Sequence, residues 1–177
     1  MIRFASFPRT RPPPEWAERL LGVFRRHEAE ISSGRPDGKL SSESVLAVLS
    51  NDLKSLGFNI ERLKHAEKDP PGAEPVDAAT GEGKESIHFD VYQPAWLCCL
   101  AIEDGHDWAN IDAAEDLVEP LLVSDVDTLC LAVTCAEEPG SGAAHRASEY
   151  ERTCDLAAVV YGHSRVQLPK CLLVIGY

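Results

Sequence analysis

The sequence lacks a long hydrophobic run. No stretch reaches the roughly 18 apolar residues that a membrane-spanning helix needs, and the N-terminus lacks the apolar segment of a secretory signal. These absences predict a cytoplasmic protein without a membrane association. The hydrophobic share of 44% and the charged share of 26% are ordinary for a globular protein, so extensive disorder is not expected. With 177 residues, the chain is expected to form a single domain over residues 1–177.

Positive charge is also scarce. The chain has 17 lysines and arginines against 29 aspartates and glutamates, and its formal net charge is −12. Such a charge repels nucleic acid over the whole molecule, whereas nucleic-acid-binding proteins usually carry a basic patch. The N-terminal segment is the exception, because it concentrates arginines that include Arg9, Arg11, Arg25, Arg26 and Arg35. They could form a local basic face, although a solvated helix end with a flexible arm is the simpler interpretation.

Several motifs of catalytic or metal-binding proteins are missing. The 6 cysteines show no CxxC spacing, and most lie in apolar runs such as LCCLAI, where free cysteine behaves as a small hydrophobe. We therefore expect buried, reduced thiols rather than disulfides or structural zinc. No GxSxG elbow of a serine hydrolase is present, and GEGKES lacks the full GxxxxGK[ST] spacing of a phosphate-binding loop.

The first half of the chain predicts two helices and a strand. Residues 15–31 have apolar side chains at helical spacing, and so does SSESVLAVLSNDLKSLGF. Ser41 or Ser42 is expected to cap the second helix, and Gly57 to end it. FNIERLKH then alternates like a strand. Residues 66–86 are rich in Pro, Gly, Ala and Glu, and we expect them to form a mobile surface loop.

The second half predicts most of a sheet. IHFDVYQ and WLCCLAIE are expected to form a hairpin joined near Pro94, and Trp96 and Trp108 around it are either an aromatic platform or core residues. A helix over residues 112–123, a buried strand in DTLCLAVTC, a helix ending near Gly162 and a last strand in KCLLVIGY follow. The pattern predicts an α/β fold, with a mixed central sheet flanked by helices.

Two acidic residues lie at the predicted hairpin. Asp90 belongs to the strand-like HFDVY, and Glu103 ends the apolar run WLCCLAIE, so a hairpin would bring them side by side. Two converging carboxylates are typical ligands of a hard cation such as Mg²⁺. His88 and His106 flank the pair as possible ligands or acid/base groups, although exposed turn histidines are commoner. One alternative for the acidic pair is two turn or strand-end carboxylates hydrogen-bonded to backbone amides, and another is a metal site retained without turnover.

The element order and this acidic pair resemble the PD-(D/E)xK, or restriction-endonuclease-like, nuclease superfamily over roughly residues 40–135. FASFPRT, LKSLGFNIE, HFDVYQP, LAIEDG and LPKCLLVIGY also look like a bacterial family of restriction-endonuclease-like proteins, along nearly the whole chain. The resemblance implies a nuclease that hydrolyses phosphodiester bonds in nucleic acid with Mg²⁺ or Mn²⁺. It implies Asp90 and Glu103 as catalytic metal ligands, with Glu61 or Glu43 as the accessory carboxylate.

The lysine of the motif is missing. Gly105 stands two residues after Glu103, where the superfamily carries lysine, and His106 follows it. A functional enzyme would need His106, Lys64 or Arg62 to supply the positive charge that stabilises the transition state. The resemblance therefore leaves a second hypothesis open: a noncatalytic domain of the same fold that binds a protein partner or forms a homodimer.

Overall fold

The computed structural model describes residues 1–32, 39–60, 91–103, 126–135, 147–162 and 170–177. The predicted loop over 66–86 and the predicted helix over 112–123 lie outside these residues. The described elements form an α/β fold with a five-stranded mixed sheet flanked by helices. In this part of the chain, no helix has both the length and the apolar character needed to cross a membrane.

The sheet combines a parallel centre with antiparallel edges. Its strands are β1 (Arg3–Phe7), β2 (Val91–Gln93), β3 (Cys98–Ile102), β4 (Thr128–Val133) and β5 (Cys171–Gly176). Their spatial order is β1-β5-β4-β3-β2, in which β3, β4 and β5 run parallel and each edge strand is antiparallel to its neighbour. The central strands are buried on both faces, which explains their continuous apolar sequences. The predicted hairpin of β2 and β3 is confirmed.

Four helices are described. They are α1 (Ala17–Arg26), α2 (Glu28–Ile31), α3 (Ser42–Ser55) and α4 (Glu149–Gly162). The side chain of Ser41 caps α3 by accepting a hydrogen bond from the backbone N–H of Ser44, and Gly57 follows the helix with a φ of 86°. The predicted cap of this helix and its predicted end at Gly57 are therefore confirmed. The single helix predicted over 15–31 is divided at His27, whose backbone is not helical.

The helices cover the two faces of the sheet unequally. α1, α2 and α3 pack on one face, where residues such as Leu20, Leu49 and Leu100 form the larger core cluster. α4 packs on the other face, where Leu131 and Ala157 belong to a second cluster. Alternate residues of each central strand enter the two clusters, as the pleat of a sheet requires. The sheet thus lies between the two core clusters and contributes side chains to both.

β1 differs from the sequence interpretation, which treats the N-terminal segment as a flexible arm before the first helix. The strand pairs with β5 from Arg3 opposite Gly176 to Phe7 opposite Leu172. Ala5 and Phe7 are both buried on the α4 side of the sheet. The alternation RFASF is short and precedes a proline-rich segment, so the strand gains its order from pairing with β5 rather than from a local signal.

Candidate active site

The carboxyl ends of the three parallel strands form one edge of the sheet, which we call the carboxyl edge. Ligands of open α/β sheets commonly bind outside these strand ends. Glu103 directly follows β3, Thr134 follows β4 and Tyr177 follows β5. Because β2 is antiparallel to β3, with Val91 opposite Leu100, β2 begins at this same edge. The carboxyl edge therefore gathers polar residues from several strands.

The backbone of Glu103 is fixed from two sides. Its N–H donates to the carbonyl oxygen of Ala132 at 2.8 Å, and its carbonyl oxygen accepts a hydrogen bond from the hydroxyl of Tyr177 at 2.8 Å. The residue itself is half-buried. The neighbouring strands thus hold the backbone of Glu103 in place, and a ligand site needs such rigid support for its side chains. The predicted position of Glu103 at the end of the apolar strand is confirmed.

The other predicted site residues lie mostly outside the described residues. These are Asp90, Glu61, His88, His106, Gly105, Lys64 and Arg62. The close approach of Asp90 to Glu103 stays a prediction. Glu43, the alternative accessory carboxylate, is exposed in the first turn of α3. Within the described ranges, no group of three or more His, Cys, Asp or Glu side chains could hold a metal ion, although a carboxylate such as that of Glu103 is chemically suited to a hard cation.

A buried acidic residue that does not belong to the predicted site lies at the same edge. Glu149 begins α4, and its side chain is only 8% exposed. Its Oε2 atom accepts hydrogen bonds from the backbone N–H of Thr134, at 3.3 Å, and from the Thr134 hydroxyl. Its Oε1 atom lies 3.9 Å from Nζ of Lys39. These contacts offset part of the free energy that burial of a carboxylate costs.

The sequence gives a weak indication that Glu149 is buried. It shares a four-residue spacing with Thr153 and Ala157, and all three side chains are buried on one side of α4. A glutamate in line with a buried helix stripe is unusual, because ionised side chains are rarely buried without a partner. Its partner Lys39 could not be found in this way, since the two residues are far apart in the sequence.

Arg3 also lies at the carboxyl edge, but its contacts are within the protein. Its Nη1 atom donates to Oε1 of Glu151 at 3.0 Å, and its guanidinium lies 4.3 Å from the centre of the Tyr150 ring. The hydrogen bond from Arg3 lowers the pKa of Glu151. The ion pair thus links β1 to α4 across this edge of the sheet.

The six cysteines are free thiols, and Cys98, Cys99 and Cys130 are buried among them. Burial raises the pKa of Cys99 to about 12. Burial also raises the pKa of the half-buried Cys135 and Cys154. A thiol with a raised pKa carries little thiolate at neutral pH, so it is a weak nucleophile. These cysteines are therefore better explained as core residues than as reactive groups.

The opposite end of the sheet, the amino edge, is aromatic. Trp96 lies in the turn between β2 and β3, where its ring stacks on Trp16 at 4.9 Å and meets the Phe58 ring edge-on at 5.7 Å. Gln93 braces the same turn, because its Nε2 donates to the Leu56 carbonyl and its Oε1 accepts from the Trp96 N–H, each at 3.0 Å. Trp96 packs against the larger core cluster, which favours the core interpretation of this residue.

Comparison of the chain with family models, curated proteins and solved structures found no match in any of the three. The candidate site rests on the residues of the carboxyl edge.

Proposed function

We propose that this chain is a restriction-endonuclease-like protein that hydrolyses phosphodiester bonds in nucleic acid with the help of Mg²⁺ or Mn²⁺. The observation that carries the proposal is the position of Glu103. It leaves β3 at the carboxyl edge, where β2 begins, and Asp90 is the sequence neighbour of the first residue of β2, Val91. A strand-end carboxylate fixed through its backbone is a suitable start for a metal site.

The order of the described elements supports the same proposal. α3 is followed by Asn59, which forms an antiparallel bridge to Tyr92 of β2. β2 then pairs antiparallel with β3, and β4 pairs parallel with β3. The resemblance implies a core of a helix, a three-strand meander, a helix and a further strand. The described residues contain a helix, three antiparallel segments and a further strand in this order, and the predicted second helix over 112–123 lies outside them.

The candidate site residues have different roles in the proposed reaction. In this proposal Asp90, Glu103 and the accessory Glu61 hold the cation, because carboxylate oxygens are the ligands that Mg²⁺ prefers. The bound cation would polarise the phosphodiester and lower the pKa of a water molecule. The backbone of Glu103 is fixed by hydrogen bonds, and this helps to orient its carboxylate. His106 is the candidate acid/base group, since imidazole titrates near neutral pH.

The direct test is cleavage of single- and double-stranded DNA and RNA by the purified protein, with Mg²⁺ or Mn²⁺ and with chelator. Asp90→Asn and Glu103→Gln keep the side-chain shape but remove a charge, and each is expected to lower the rate by at least about 10²-fold. Glu15→Gln removes the same charge from an exposed residue just before α1, and should leave the rate unchanged. Circular dichroism checks that each variant is folded.

Two outcomes would contradict the proposal. Cleavage that survives both Asp90→Asn and Glu103→Gln would place the activity elsewhere or in a contaminant. If no substrate is cut and calorimetry detects no cation binding, the chain is better described as a noncatalytic protein-interaction domain of the same fold. The glycine at position 105, in place of a lysine, is the feature that favours this alternative.

A further inference from the structure

Lys39 is a cation that reaches the carboxyl edge. It lies just before α3, and its Nζ atom is 3.9 Å from Oε1 of Glu149. This distance is longer than a hydrogen bond, so the ammonium group keeps donors for another acceptor. The Lys39 side chain is 32% exposed, whereas that of Glu149 is 8% exposed. The pair therefore has a buried anion and a cation that a ligand can reach.

Glu149 is held in a way that directs one oxygen to the lysine. Both hydrogen bonds from Thr134 go to Oε2, and Oε1 faces Lys39. Thr134 in turn is fixed at the end of β4, and its carbonyl accepts a hydrogen bond from the N–H of Tyr150 at 3.3 Å. A flexible lysine side chain is thus tied to a rigid part of the sheet by a buried carboxylate.

Thr134, which holds Glu149, directly follows β4, and β4 is the neighbour of β3, the strand that ends just before Glu103. Ile102 of β3 pairs with Ala132 of β4. Glu103 is one residue after Ile102, and Thr134 is two residues after Ala132. Neighbouring strands are about 4.8 Å apart. Arg3, on β1, is separated from β3 by two strands, or about 14 Å across the sheet.

We propose that Lys39, held by Glu149, contacts a phosphate group of the nucleic-acid substrate and supplies the positive charge that Gly105 cannot. This inference rests on the proposed function. Lys39 acts on the substrate itself, while Glu149 is a positioning residue that acts through Lys39. The sequence candidates for the missing charge, His106, Lys64 and Arg62, are the competing hypotheses.

The first test measures binding without cleavage. Fluorescence anisotropy of a labelled single-stranded DNA oligonucleotide is recorded in chelator over a series of salt concentrations. Each lost phosphate contact should reduce the slope of log K against log salt by about 0.7 for a single strand, so we expect this reduction for Lys39→Met. Lys54→Met removes the same charge from an exposed residue in the last turn of α3, and should leave the slope unchanged.

The second test measures the rate of cleavage with Mg²⁺. Lys39→Met should lower kcat by about 10²–10³-fold, as expected for loss of one group that stabilises transition-state charge. Lys39→Arg keeps the charge and should restore part of kcat. Glu149→Gln keeps an acceptor for Thr134 but removes the charge that holds Lys39, and should lower kcat by about 10–100-fold. A purely structural role of Lys39 would change the melting temperature without this recovery by arginine.

The outcomes separate this inference from the proposed function. If the wild type cleaves and Lys39→Met changes neither the salt slope nor kcat, the nuclease proposal stands and the role of Lys39 is wrong. A changed slope with an unchanged kcat also overturns it. If the wild type cleaves nothing but its salt slope depends on Lys39, the nuclease proposal fails while the phosphate contact stands. A wild type that neither binds the oligonucleotide nor cleaves any of the DNA and RNA substrates overturns both.

Discussion

The two ends of the sheet are built from different interactions. At the amino edge, the stacked rings of Trp16 and Trp96 close the turn between β2 and β3 by apolar packing. At the carboxyl edge, charged side chains are held by specific partners, and one of them, Glu149, is buried. Burying a carboxylate costs free energy even when it is paired, so such a group is weak evidence for stability. The comparison indicates that the amino edge chiefly stabilises the fold, whereas the carboxyl edge holds the charged groups on which the proposed function depends.

The largest loss of stability should come from the amino edge. Trp96→Ala removes the ring that packs on both Trp16 and Phe58, and we expect the free energy of unfolding to fall by about 3 kcal/mol. Trp96→Phe keeps an aromatic ring and should cost less. Urea denaturation of the three proteins gives the values. A cost for Trp96→Ala below that of an ordinary surface substitution would show that the stack contributes little, and would remove the contrast between the edges.

A smaller loss is expected from the close packing at the carboxyl edge. A Cβ atom at Gly176 would lie 2.6 Å from Sγ of Cys135 and 2.7 Å from the Tyr150 ring, so Gly176→Ala should destabilise the protein by about 1–3 kcal/mol. Gly22 is the matched control, because a Cβ there meets no atom within 4 Å and the residue lies inside α1. Gly22→Ala should stabilise the protein by about 0.5–1 kcal/mol. Thermal unfolding of both variants tests the pair, and equal effects would contradict the close packing.

The smallest effect should come from His27, in the helical layer. Its Nδ1 lies 3.1 Å from Oε1 of Glu30, and its Nε2 lies 3.0 Å from Oδ2 of Asp52. The hydrogen bond with Glu30, and then that with Asp52, raises the pKa of His27. The resulting stabilisation is fully present below the unfolded pKa of about 6.5, and it is lost as the pH rises through the higher folded pKa.

Urea denaturation at pH 6 and pH 8 measures this contribution. The wild type should lose more stability between the two values than His27→Gln, which does not titrate in this range. The difference should be small, because the contacts lie near the surface, where water and salt weaken them. An equal loss in both proteins would show that the pair of carboxylates does not favour protonated His27.

The sequence predicts the parts of the fold that have a local signal. β4 and β5 appear as continuous apolar runs, and the cap and the terminal glycine of α3 follow from the chemistry of Ser41 and Gly57. β1 has too short an alternation to be recognised beside its prolines. The contact between Lys39 and Glu149 brings the segment before α3 to the first residue of α4, and no local sequence pattern predicts such a tertiary contact. Glu103 could be placed at a strand end, but its fixation by Tyr177 is likewise a tertiary contact.

The pairing of β1 with β5 has a consequence for how the chain folds. The two strands come from opposite ends of the sequence printed here, so their contact closes a very long loop, whereas the hairpin of β2 and β3 closes a short one. Loop-closure entropy disfavours early formation of long-range contacts, and folding rates fall as such contacts become more important. We therefore expect β1 to dock late, onto a sheet that is otherwise assembled. Until it does, β5 presents an unpaired edge, and another molecule could take the place that Arg3–Phe7 occupies in the native fold.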